Sequence, residues 1–250
     1  MEPKIINCRV VGLEWATHDV RVVRMEVAKR GAFSFKAGQY AKLAFKNQPA
    51  RDYSMANRPD RDILEFHIRQ MSGEGVSTYV AKDLKVDEKV KLQGPFGEAC
   101  LRDEHEGPIL AIAGGSGLAP IKSIVETALV RNPKRAIHLY FGVRQRHDLY
   151  LDKHFHSLAD ADTGLSFVPV LSHEPAAERC RCGDPASCVA DDHADLSGFK
   201  AYLAGPPAMI EAAVARLIHM GLSPDDIHAD PFYSDAEQAQ RLAAKAGGGP

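Results

Sequence analysis

The chain has 250 residues, 45% of them apolar and 26% charged, with a formal net charge of −2. That composition is ordinary for a globular protein with one large or two average hydrophobic cores. It excludes a broad basic field for nucleic acid or an anionic membrane. No apolar run approaches the roughly 20 residues that span a bilayer, and the start MEPKIINCRV is too short and polar for a signal peptide. The expected location is therefore cytoplasmic, with no nucleic-acid or membrane partner. Five cysteines without an export signal argue against a disulfide framework.

In chain order, the first hundred residues carry short strand-like runs: 5–15, 20–27, 39–45, 63–70 and 89–97. Gly31, Gly38, Asn47, Pro49, Pro59 and Gly94 punctuate them. Many short strands at close spacing predict an antiparallel barrel or sandwich. One helical piece, GVSTYVAKDL from Gly75 to Leu84, interrupts them.

The rhythm changes near residue 107. PILAIAGG is a continuous apolar run, as in a parallel strand covered on both faces. Apolar residues at Ile121, Ile124, Val125, Ala128 and Leu129 then recur at helical spacing. Strand-like runs at 136–143, 164–171 and 199–205 alternate with helical patterns at 148–159 and 206–221. Alternation of this kind predicts an α/β domain on a parallel sheet. The expected division is 1–103 for the barrel, 104–234 for the α/β domain and 235–250 for a flexible tail.

Two glycine turns end apolar strands. In the first, Gly115, Ser116 and Gly117 begin a dinucleotide fingerprint, but Pro120 stands where its third glycine would be. Backbone N–H groups of such a turn, with about half a positive charge at the helix N-terminus, suit a phosphate. A tight turn without a ligand is the plainer alternative. Proline is tolerated at a helix start, where its missing N–H has no partner to lose. The second turn is Gly205, Pro206 and Pro207, followed by Met209. Ligands of open α/β sheets bind at the carboxyl ends of the strands, so the two turns frame one crevice if their strands are neighbours. The acidic residue that selects NAD is missing after the second strand of this half. Arg144 and Arg146 stand there instead, and either suits a 2′-phosphate. The choice between NADH and NADPH stays open.

RDYSMAN (51–57), GGSGLAP (114–120), FGVRQRHDLY (141–150), YLAGPPAM (202–209) and HADPFYS (228–234) occur in that order. Together they resemble the ferredoxin–NADP reductase superfamily. The nearest likeness is to the reductase module of bacterial aromatic-ring oxygenase systems and to NAD(P)H:flavin reductases. The resemblance implies a flavin barrel followed by a nicotinamide domain, and Pro120 belongs to that family's phosphate turn. It implies that Arg51 pairs with the flavin pyrophosphate, Tyr53 packs on the flavin and Ser54 hydrogen-bonds near N5. It places Gly75, Val76 and Ser77 on the second phosphate, with His67, Ile68 and Arg69 against the adenylate or ribityl part. Gly115, Ser116, Gly117, Pro120, Arg144, Gly205, Pro206 and Met209 hold the nicotinamide nucleotide, and Phe232 covers the flavin face that nicotinamide must reach. Ser54 and Phe232 are the catalytic candidates.

The implied activity is FAD-dependent NAD(P)H oxidation, with electrons passing to a ferredoxin or an oxygenase iron–sulfur component. Release of free reduced flavin and a redox-sensing regulator without turnover are the alternatives. FMN is not excluded, but the helix after SGEGVS favours the longer FAD. Two departures stand out: Ala204 replaces the cysteine often found before the Gly-Pro-Pro turn, and no loop offers the four thiolates of a [2Fe–2S] cluster. Cys180, Cys182 and Cys188 have no standard metal spacing and read as a flexible surface insertion with reduced thiols. A zinc or iron site and a redox thiol pair are the other readings of that stretch.

Overall fold

A computed structural model describes residues 2–29, 31–161, 163–233 and 237. The tail expected over 235–250 lies outside them, apart from Glu237. The first half forms β1 (Lys4–Trp15), β2 (Val20–Val27), β3 (Tyr40–Ala44), β4 (Arg51–Ser54), β5 (Ile63–Arg69) and β6 (Lys89–Phe96), with α1 (Val76–Lys82) between the last two. The sheet order is β4-β3-β6-β1-β2-β5, and every pairing is antiparallel. Its two edges meet: Met55 bridges Phe66, and Ala56 N–H donates to Glu65 O at 2.7 Å. The result is a nearly closed barrel rather than a sandwich, and closure removes the exposed edges that invite aggregation. Val10, Val23, Met25, Leu43, Phe66 and Leu92 fill its interior.

The second half forms β7 (Ile109–Gly114), β8 (Ile137–Val143), β9 (Leu165–Leu171), β10 (Arg181–Cys182), β11 (Lys200–Gly205) and β12 (Ile227–Pro231). They make a parallel sheet in the order β10-β9-β8-β7-β11-β12. All six residues of β7 are buried, which explains its unbroken apolar sequence. Residues of α2 (Leu118–Arg131) and α3 (Asp152–Asp160) pack into the core on one face. Residues of α4 (Pro185–Asp192) and α5 (Pro207–His219) fill the core on the other. The chain leaves β7 toward β8 and returns on its opposite side as β11. The carboxyl ends of β7 and β11 are thus the topological switch point, where such sheets bind ligands.

The cysteine stretch is not the flexible insertion that its composition suggests. Its chain adds edge strand β10 and helix α4 to the sheet. The Asp184 side chain accepts from Ser187 N–H at 2.9 Å and caps α4, and Pro185 opens its first turn. Cys180 and Cys188 are buried in the two cores, where burial pushes both thiols up; Cys182 is exposed.

Candidate active site

Arg51 to Ser54 form β4, which pairs with β3 so that Ser54 faces Tyr40 and Tyr53 faces Ala41. Strand alternation sends successive side chains to opposite faces. Arg51 and Asp52 are exposed, Tyr53 is half-buried and Ser54 is buried. The Tyr53 ring stands edge-on to Phe45 at 6.5 Å, and Phe45 lies 6.2 Å from Tyr79 of α1. This aromatic row ties the strand to the helix, and burial pushes the Tyr53 phenol up to about 12.

The start of α1 has no side-chain cap. Gly75 precedes it at φ 147°. A Cβ at Gly73 or Gly75 would meet nothing within 4 Å, so the backbone there is open to a ligand. Thr78 Oγ1 donates to Gly73 O at 2.7 Å, and Ser77 Oγ accepts from Met71 N–H at 3.1 Å. These bonds hold the loop against the first turn of the helix, whose leading N–H groups have no helical partner.

The three residues at the end of β5 separate. Ile68 is buried in the barrel core. His67 is buried too, but its ring turns away from α1: Nδ1 lies 3.1 Å from Tyr150 OH, and Nε2 lies 3.1 Å from Glu65 Oε1. Arg69 pairs with Asp19 at 2.6 Å, and its guanidinium reaches within 4.0 Å of where a Gly115 side chain would stand.

On the other side of the cleft the two glycine turns interlock, because β7 and β11 are direct neighbours. A Cβ on Gly117 would collide with the Ala204 carbonyl. One on Gly205, at φ 146°, would lie 2.8 Å from Gly114 O. One on Gly114 would lie 2.6 Å from the Met209 methyl. Gly115, Ser116 and Gly117 form a 3-10 turn that runs straight into α2. Pro120 is the third residue of α2, not the first, yet still within the turn whose N–H groups lack helical partners. Pro206 caps α5, and Arg144 and Arg146 lie exposed after β8.

β12 closes the site, and it carries a residue that the sequence reading missed. Phe232 N–H donates to Gly205 O at 2.9 Å, leaving the ring at the cleft mouth with 36% exposure. Asp230 sits opposite Ala204 in the β11–β12 register. Burial pushes its carboxyl up to about 6, and the negative charge of Asp52 adds to that. Asp230 also reaches Tyr40 electrostatically. An acidic residue two positions before Phe232, within HADPFYS, was its only sequence signal. Its proximity to β3 and β4 brings the end of the parallel sheet against the Ser54 strand.

The donor set fits a flavin dinucleotide: an exposed guanidinium at Arg51, open uncapped N–H groups at 75–77 and an aromatic platform at Tyr53. An oxidoreductase FAD-binding domain model matches residues 7–100, and an oxidoreductase NAD-binding domain model matches residues 111–215. The chain belongs to the ferredoxin reductase family. It is 43% identical over 230 residues to the ferredoxin–NAD(P)+ reductase component of the Pseudomonas putida naphthalene 1,2-dioxygenase system, covering 92% of this chain and 70% of that one. It is 39% identical over 221 residues to the reductase subunit of an Amycolatopsis aromatic O-demethylase, covering 86% and 65%. Among solved structures, the Amycolatopsis cytochrome P450 reductase GcoB superposes with a TM-score of 0.86 at 35% identity, over 92% of this chain and 70% of that one. As a member of this family the chain is a flavin-dependent NAD(P)H reductase, with FAD and NAD(P)H as its cofactors. The five ordered motifs pointed to the correct family.

Proposed function

We propose that this ferredoxin reductase-like chain carries electrons from NAD(P)H through FAD to an iron–sulfur centre, that of a ferredoxin or of an oxygenase component, in the cytoplasm. The name of the P. putida relative, the ferredoxin–NAD(P)+ reductase component of a dioxygenase system, supports that acceptor class. The cysteines of these 250 residues include no four-thiolate loop, so the acceptor centre lies outside this stretch of chain. No helix among the described residues is long and apolar enough to cross a membrane. The working division is a flavin barrel over 1–103 and a nicotinamide domain over 104–234.

The observation that carries the mechanism is the meeting of Phe232 and Asp230 with the interlocked glycine turns on one side and the Ser54 strand on the other. FAD held here would supply a hydride acceptor able to release its electrons singly. Arg51 forks onto its diphosphate, assisted by the N–H groups of Gly75, Val76 and Ser77. Tyr53 packs against the flavin, and the buried Ser54 hydroxyl donates toward the atom that receives hydride. Gly115, Ser116 and Gly117, with Pro120 behind them, seat the nicotinamide nucleotide's diphosphate. Arg69 at the edge of this turn is paired with Asp19, and Arg144 would accept a 2′-phosphate where the donor is NADPH. Gly205, Pro206 and Met209 shape the space for the nicotinamide, and Phe232 occupies that space until nicotinamide displaces it. No protein acid or base is needed for hydride transfer, so alignment of the two rings supplies most of the acceleration.

The test is the cofactor content of the purified chain. One FAD per chain, with brisk oxidation of NADH or NADPH by an artificial one-electron acceptor, supports this function. Protein that binds no FAD on reconstitution overturns it. Flavin bound weakly and released after reduction favours free-flavin release instead.

A further inference from the structure

Outside the flavin and nicotinamide cleft, one cluster has the make-up of a metal site. His18 lies in the turn between β1 and β2 on the barrel; His147 and Asp148 follow β8 on the nicotinamide side. Their ligating atoms all lie within 4.8 Å of one another. The His147 Nε2 to Asp148 Oδ1 distance is 3.4 Å, and His18 Nδ1 to the same oxygen is 3.8 Å. Two ligands each about 2.1 Å from a tetrahedral ion stand about 3.4 Å apart, so the cluster needs only a small closure. The two imidazoles meet edge to face at 5.0 Å, with their nitrogen atoms converging on one carboxylate oxygen.

The carboxylate of the cluster is held in place by the backbone, as an outer shell holds a metal ligand. Asp148 Oδ2 accepts the Gln145 N–H at 3.0 Å, which aims Oδ1 at the two rings. His18 places Nδ1 on the Asp148 side, with Nε2 3.9 Å from Asp19, beyond hydrogen-bond range. Asp19 is itself neutralised by Arg69 at 2.6 Å and held by Thr17 Oγ1 at 2.9 Å, so it does not compete with Asp148 for the ion. Both histidines are more than half exposed, which gives an ion a path in.

We infer that His18, His147 and Asp148 form a binding site for a divalent transition cation of the zinc class, bridging the two lobes. Two imidazoles and one carboxylate suit zinc, nickel or copper rather than magnesium or calcium, which prefer all-oxygen shells. One ligand comes from the barrel and two from the nicotinamide side. A bound ion therefore pins the β1–β2 turn to the segment that carries Arg144.

The test is calorimetric titration of zinc chloride into the FAD-loaded, tag-free protein in chelator-free buffer. Wild type, H18A, H147A and C182S are compared, with circular dichroism and FAD content confirming that each variant is folded. The expected result is one zinc per chain at micromolar affinity, weakened at least about tenfold by H18A and by H147A alike and unchanged by C182S. Zinc binding that survives both histidine substitutions, that disappears in C182S, or that is not detected in wild type overturns the site.

Discussion

His67 Nδ1 lies 3.1 Å from the Tyr150 hydroxyl, so a buried imidazole on the barrel and a buried phenol beyond β8 satisfy each other across the seam between the lobes. The Glu65 carboxylate can only accept, so the His67 proton sits on Nε2 and Nδ1 accepts from Tyr150. The same hydroxyl lies 3.4 Å from Gly115 O, within the glycine turn. With its one proton on His67, the hydroxyl makes only a packing contact with that glycine turn, and the bond to His67 ties the end of β5 to the segment after β8. Tyr150→Phe leaves Nδ1 buried without a donor. A buried group that loses its partner costs about 1–3 kcal/mol, which at this chain length lowers Tm by roughly 3–10 °C. Tyr79→Phe is the control: that hydroxyl donates to Glu88 at a partly exposed site, where water replaces it. Thermal unfolding of the two variants checks this, and equal losses would contradict it.

Behind His67 a charged cluster gives the seam a pH dependence. Burial pushes the Glu65 carboxyl up, but the His67 hydrogen bond, Lys122 and Arg24 outweigh it and hold the carboxyl well below its ordinary range. Glu65 therefore contributes stability above the unfolded carboxylate pKa, and that contribution drains away as pH falls below about 4.5. His67 acts in the same direction. Burial lowers its pKa, so below about 6.5 the unfolded imidazole takes up a proton that the folded one resists. Stability is expected to decline from pH 7 to pH 4. Glu65→Gln is expected to be less stable than wild type at pH 7, with the gap narrowing toward pH 4. A series of melting temperatures across this range measures it; a gap independent of pH would remove Glu65 as the source.

Much of this architecture was legible because its signals are local. The apolar run at 109–113, the helical spacing from Ile121 to Leu129 and the glycine turns each sit within a few residues, and β7, α2 and the switch point follow from them. What stayed hidden depends on partners far along the chain. The partner that holds the His67 ring, Tyr150, is 83 residues away, so no local pattern shows it. Residues 227–231 were not read as a strand because the pairing with β11 that makes them one is visible only in the fold. The helix start at Asp184 and Pro185 was a readable signal, but the odd cysteine spacing and polar residues around it pointed to a flexible surface insertion instead.

Asp230 supplies a titration of opposite sign. Its carboxyl is raised to about 6 by burial and then by Asp52, so the folded chain holds a proton that the unfolded chain releases near pH 4. The contribution to stability is full below the unfolded pKa and is lost as pH rises through about 6. Asp230→Asn removes the cost of the buried charge at high pH. On FAD-loaded protein, the Tm of Asp230→Asn relative to wild type is expected to be more favourable at pH 8 than at pH 5. A difference that shrinks or reverses over that interval would mean that Asp230 is already ionised and compensated at low pH.

Gly117 tests the nicotinamide side without touching the flavin side. Its missing Cβ is what lets the first glycine turn lie against the Ala204 carbonyl and Gly205. Gly117→Ala therefore forces β11 and the start of α2 apart, and a displacement near 1 Å at a ligand-positioning element costs about a hundredfold in catalytic efficiency. The barrel, with Arg51, Tyr53 and α1, is unaffected, so FAD content is expected to stay at the wild-type level. The loss should fall on kcat/KM for NADH and NADPH, measured with an artificial acceptor, together with a lower Tm from the strained packing. Unchanged steady-state kinetics in this variant would show that the interlocked turns do not seat the nicotinamide nucleotide, and the cleft would have to be sought elsewhere on the sheet.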